Sequence, residues 1–188
     1  MNNYFNIILI IIVLIVEFKT KYNIEKNIRI KKGTFIVCSH EYEHKDIFIT
    51  LQEIKKSNNF FYILFADEYW NYLIEPFRPN NTEFIYVKNK TVDKLSNKLF
   101  LGYNVVLFLY KHNNSKGIYH ILKKTNSNLI LLKIKGDKCG YNHSNSNYLK
   151  IMLHNKNINY NITYSRIKYN LNDNSDKFMK KIKNNLYN

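Results

Sequence analysis

The stretch FIVCSHEYEHKDIF, residues 35–48, decides how the chain is read. Its first residues are apolar and end in Cys38, the pattern of a strand buried on both faces. Directly behind them stand His40, Glu41, Glu43, His44 and Asp46, and then a segment opens in which Ile47, Leu51 and Ile54 share one helical face. Titratable groups gathered where a strand ends and a helix begins form a catalytic site, a metal site, or a solvated turn whose charges cap the helix.

Outward from this stretch the same alternation recurs. Strands are expected at 34–39, 60–66 (FFYILFA), 83–88 (EFIYVK), 104–110 (NVVLFLY) and 128–134 (NLILLKI), with NVVLFLY the most central. Helices are expected at 46–56, at 67–75 closed by Pro76, at 91–102 ending on Gly102, and at 117–125 with Ile118, Ile121 and Leu122 at helical spacing. A polar, Asn-rich loop follows, then strands near 149–153 and 158–167. A final helix carries Phe178, Ile182 and Leu186 as its apolar stripe, with Asp173 or Ser175 as its cap. Strands separated by helices of this length imply βαβ units, so the fold class expected is α/β, a mostly parallel sheet flanked by helices.

The bulk properties narrow the partners. A chain of 188 residues with 45% hydrophobic residues suits one globular domain and excludes general disorder. The formal charge of +15 favours an anionic partner. With 2 cysteines, Cys38 and Cys139, a disulfide-stapled secreted domain is disfavoured. Residues 4–16, YFNIILIIIVLIV, are almost wholly apolar, and Lys19, Lys21, Lys26, Arg29, Lys31 and Lys32 follow. An apolar run with a basic flank reads as a membrane anchor, spanning or interfacial, with its basic side cytosolic. The expected division is therefore an anchor at 1–18, a basic linker at 19–33 and an α/β domain at 34–188.

The order of elements, together with FADEYWNYLIEPF at 65–77, resembles the PlsC-like glycerolipid acyltransferases, the lysophosphatidic acid acyltransferase family. That family has an NHxxxxD motif after its first strand, similar to His40 and Asp46 here. Ala66, Glu68, Pro76 and Phe77 match its next segment, FIYVK ending at Lys88 matches a strand ending in a basic residue, and LFLGYNVVLFLYKHNNSKG (99–117) occupies the place of its helix, glycine and Phe-Pro-Glu-Gly-Thr-Arg block. The resemblance spans residues 30–135 by pattern. Two departures stand out. Five residues separate His40 from Asp46 where the family has four, and after Phe108 the positions of Pro, Glu and Gly-Thr-Arg are held by Leu109, Tyr110 and Lys111-His112-Asn113.

The resemblance implies acyl transfer from acyl-CoA or acyl carrier protein, as co-substrate, to the hydroxyl of a lysophospholipid at the cytosolic face of a membrane. It implies His40 as the base, Asp46 as its orienting acid, and Lys88 with Lys111 or His112 as phosphate contacts, with no bound cofactor or metal. Histidine suits the base because its ordinary pKa lies near neutrality, and a carboxylate fixes its tautomer. Glu41 or Glu43 offers an alternative orienting acid, His44 an alternative base, and Tyr110 a hydroxyl where the family has Glu. On the metal reading, Cys38, His40 and His44 form C-x-H-x3-H, and Cys139 with His143 forms C-x3-H; neither is a familiar zinc spacing. No nucleic-acid partner is expected, since no Gly-rich phosphate loop, RNP-like motif or Cys/His finger accompanies the charge. A lipid-binding or scaffolding descendant of the same fold that has lost its chemistry is the alternative function.

Overall fold

The computed structural model describes residues 21–41, 44–65, 74–112, 116–136, 159–170, 172 and 174–188. Strands β1 (Tyr22–Lys26), β2 (Thr34–His40), β3 (Phe61–Phe65), β4 (Thr82–Tyr86), β5 (Asn104–Tyr110), β6 (Asn128–Gly136) and β7 (Tyr160–Ile167) form one sheet in the order β1-β7-β6-β2-β5-β3-β4. The five strands from β6 to β4 are mutually parallel; β7 runs antiparallel to β6, and β1 parallel to β7. The α/β class with a mostly parallel sheet is thus observed.

Helix α1 (His44–Lys55) covers one face of the sheet, and α2 (Thr91–Phe100), α3 (Gly117–Thr125) and α4 (Ser175–Tyr187) cover the other. Alternation along β2 splits the core accordingly. Ile36 and Cys38 face Ile47, Phe48, Leu51 and Ile54 of α1, while Phe35 and Val37 face Leu95, Leu99, Ile118, Leu122, Phe178 and Ile182. A strand covered on both sides has no polar face, which is why all seven residues of β2 are buried.

Several expectations are revised. The centre of the sheet is TFIVCSH, not NVVLFLY, which lies one strand further out. Tyr22–Lys26, inside the stretch read as linker, is an edge strand on β7. The cap of α4 is Asn174, whose side chain accepts the Lys177 amide hydrogen at 2.8 Å, rather than a neighbour on either side. Residues 75–77 form a short 3-10 turn. The anchor at 1–18, the body of the helix at 67–75, the strand at 149–153, Glu43, Asp173, Cys139 and His143 lie outside the described residues. Among the described residues no helix is long and apolar enough to cross a membrane.

Two glycines hold the amino end of β2 against the α2–β5 turn. Gly33 (φ +68°) and Gly102 (φ +82°) both take left-handed backbone, and the Gly33 amide donates to the Gly102 carbonyl at 2.9 Å. A β-carbon on Gly33 would also meet the Leu99 carbonyl oxygen at 3.3 Å. The opposite, carboxyl end of the sheet is where chemistry gathers.

Candidate active site

His40 is the last residue of β2, and Asp46 sits in the first turn of α1. His40 Nδ1 lies 3.2 Å from Asp46 Oδ2, with the histidine side chain 7% exposed and the aspartate fully buried. The same Oδ2 accepts the Glu41 amide hydrogen at 2.7 Å. The carboxylate is further favoured by its place at a helix N-terminus, where unpaired amide dipoles attract negative charge. The fifth intervening residue therefore does not part the pair, because the strand end turns back onto the carboxylate it faces.

This contact favours one tautomer on chemical grounds. An ionised carboxylate only accepts, so Nδ1 carries the proton and Nε2 is left with its lone pair. The imidazole is held from its side by Tyr110, whose ring centroid is 4.2 Å away, and by Phe108 at 5.5 Å. Both belong to β5, whose Tyr110 stands in register with His40. Tyr110 thus presents an aromatic wall to the imidazole.

The neighbourhood follows from the topology. After β2 the chain leaves to α1 on one face, and after the adjacent β5 it leaves to α3 on the other. Adjacent strands whose connections diverge to opposite faces leave a crevice at their carboxyl ends, the usual ligand position of open α/β sheets.

A residue that no local pattern marked closes this crevice from below. In a parallel pair with this register the His40 amide would donate directly to the Leu109 carbonyl. The Tyr187 hydroxyl, from α4, also meets both groups: it accepts from the His40 amide at 3.3 Å and donates to the Leu109 carbonyl. Burial pushes the Tyr187 phenol above its ordinary range, so it stays a donor at neutral pH. On the other side of β2, Ser39 Oγ accepts the Ile134 amide hydrogen at 2.9 Å. Hydroxyl groups therefore contact the neighbouring backbone on both flanks of the β2 terminus.

The remaining expected residues fall as follows. Lys111 and His112 come directly after β5 and are exposed. Lys111 acts electrostatically on Glu41, whose carboxyl burial pushes up; Lys111 opposes that shift and Asp46 adds to it. Lys88 is exposed beyond β4, where its amide donates to Thr91 Oγ1 at the entry to α2. It shares the carboxyl end of the sheet but stands three strand spacings from β2, about 14 Å. His44 opens α1. Among the described residues, no group of three His, Cys, Asp or Glu side chains converges to hold a metal. Cys38 is buried one turn of alternation below His40, and burial pushes its thiol well above the ordinary range, away from nucleophilic use.

No protein-family model matches the chain, and no curated protein matches it.

Proposed function

We propose that the protein is an O-acyltransferase of the PlsC-like kind, moving a fatty acyl group from acyl-CoA or acyl carrier protein to the hydroxyl of a membrane lysophospholipid. The observation that carries this reading is the buried His40–Asp46 pair at the carboxyl end of the central strand, with Nε2 left as the base. In the reaction, Nε2 takes the proton of the acceptor hydroxyl as its oxygen attacks the thioester carbonyl. Asp46 stabilises the imidazolium that forms. The carbon–sulfur bond then breaks, and the imidazolium returns the proton to the departing thiolate. The thioester donor supplies the activated acyl group, and the chain's own residues supply the proton transfers and their orientation.

A second observation supports the membrane setting. Tyr22 at the start of β1 pairs with Tyr160 at the start of β7, which in turn pairs with Gly136 at the end of β6. The chain therefore enters the sheet from the apolar segment 4–16 at the same end that holds His40. A membrane held by that segment would lie at the crevice, where an acyl chain and a lysolipid reside. The cytosolic face is the expected side, from the basic flank.

The test is acyl transfer by the full chain in vesicles, with lysophosphatidic acid and labelled acyl-CoA. Phosphatidic acid formed by the wild type and lost in His40→Ala supports the reading. Absence of turnover across several lysolipids, with lipid binding intact, overturns it in favour of a lipid-binding protein that keeps the fold; the Tyr110 and Lys111-His112-Asn113 departures already favour that alternative.

A further inference from the structure

Strand β6 begins as an interior strand should, with Leu129, Ile130, Leu131 and Leu132 buried, and then departs from the pattern. Lys133 and Lys135 alternate with Ile134, so both leave on the face covered by α2, α3 and α4, the face that holds Leu129 and Leu131. Lys133 is half-buried, in the middle of a sheet, where a single ammonium is already costly. The two side chains leave the same face two residues apart: burial pushes Lys133 down, and Lys135 beside it pushes further the same way. Among the described residues neither forms a salt bridge with a carboxylate; Glu41 and Glu25 act on Lys133 only through space. Like charges in contact on an interior strand are destabilising unless something anionic shares the site.

Their position is the second fact. Ile134, between them, is the residue whose amide is held by Ser39, the neighbour of His40. Lys111, following β5 on the other side of β2, acts on the same Glu41 that Lys133 and Lys135 act on. Lys133 and Lys135 on β6 and Lys111 just past β5 thus flank the end of β2, where Glu41 follows His40, on the sheet face opposite the His40 ring.

We infer that Lys133, Lys135 and Lys111 form a phosphate-binding subsite at the carboxyl end of β6 and β5, with Glu41 offsetting part of their charge while the subsite is empty. The subsite rests on the acyl-transfer reading for the identity of its ligand, the phosphate of a lysophosphatidate acceptor or that of coenzyme A, and on the geometry alone for its being there. It places the phosphate on β6 rather than on Lys88, three strands away from His40 on the sheet's edge.

The experiment is calorimetric binding of inorganic pyrophosphate to the full chain in detergent, at two salt concentrations, with three variants. K133Q/K135Q is expected to weaken binding by about tenfold or more, as loss of two charge-assisted contacts implies. K88Q and the control pair K31Q/K32Q, which removes the same charge at the other end of the sheet, are expected to change it less than twofold. Equal weakening by K31Q/K32Q would show that net charge alone attracts the anion and would overturn the subsite; so would unchanged binding in K133Q/K135Q. The result is independent of turnover, so a protein that proves not to be an acyltransferase still reports on it. Where turnover is observed, a K133Q/K135Q variant with raised KM for lysophosphatidic acid but not for lysophosphatidylcholine assigns the site to the acceptor. A raised KM for acyl-CoA assigns it to the donor, and no change in either overturns a role in catalysis.

Discussion

Replacing Asp46 by Asn keeps the outline of the side chain and removes its charge, which makes it the sharpest probe of the site. In the wild type one oxygen, Oδ2, accepts from both the His40 ring and the Glu41 amide. An asparagine amide has one accepting oxygen and one donating nitrogen. If the oxygen keeps the shared position, only the charge is lost; if the nitrogen takes it, His40 Nδ1 must become an acceptor and its proton moves to Nε2. The second arrangement removes the base outright, and a wrong tautomer of this kind lowers turnover by about 10⁴ in histidine–aspartate systems. The first leaves the imidazolium without its buried counter-charge; a hydrogen bond to a charged partner is worth about 1.5–3 kcal/mol, a loss of roughly 10–200-fold. The expected activity of Asp46→Asn therefore lies between about 10⁻¹ and 10⁻⁴ of wild type, with Asp46→Ala no better. Nitrogen NMR of the His40 ring reads the tautomer directly and needs no substrate. An Asp46→Asn protein that keeps full activity, or a wild type whose His40 carries its proton on Nε2, would refute the assignment of Asp46 as the orienting acid.

Other expectations follow from the same structure. Tyr187→Phe removes the hydroxyl that meets the His40 amide and the Leu109 carbonyl and should cost about 1 kcal/mol in urea unfolding, the worth of one hydrogen bond; an unchanged midpoint would mean that the hydroxyl adds nothing to the docking of α4. Tyr22 donates to Glu53 at 2.6 Å, and burial followed by the Glu53 hydrogen bond raises its pKa from 10.0 to about 12. Because the folded pKa is the higher one, this contribution is fully present below pH 10 and disappears as pH rises through about 12. Unfolding free energy should therefore fall across that window, and less steeply in Tyr22→Phe. Gly33→Ala forces left-handed backbone on an L-residue and crowds the Leu99 carbonyl, so thermal unfolding should show a loss of about 1–2 kcal/mol. Wild-type stability in Gly33→Ala would mean that the turn shifts freely.

The interior of the sheet was legible because parallel strands covered on both faces read as unbroken apolar runs, as in FIVC and NLILLKI. Which run lies at the centre was not, since NVVLFLY is the more apolar of the two and only the crossovers put TFIVCSH in the middle. β1 was missed for the opposite reason. YNIEK has the charged, polar composition of an edge strand, which natural sheets use to prevent pairing with other chains and which resembles a linker in a sequence. His40 and Asp46 were legible because strand end and helix start are adjacent in the chain. Tyr187 was not: nothing near it in sequence refers to His40, and the two meet only when α4 docks on β6 and β2.

That docking gives the central strand an unusual exchange behaviour. The amide of His40 lies in the middle of a seven-stranded sheet, where hydrogen exchange ordinarily waits for global unfolding. Besides its ladder it meets a side chain 147 residues away, the Tyr187 hydroxyl on a single amphipathic helix. Lifting α4 removes that contact and uncovers the carboxyl end of β2, while Phe35 to Cys38 stay deeper in the sheet, so the His40 amide should exchange before theirs. The solvent that reaches it would arrive beside the His40 ring.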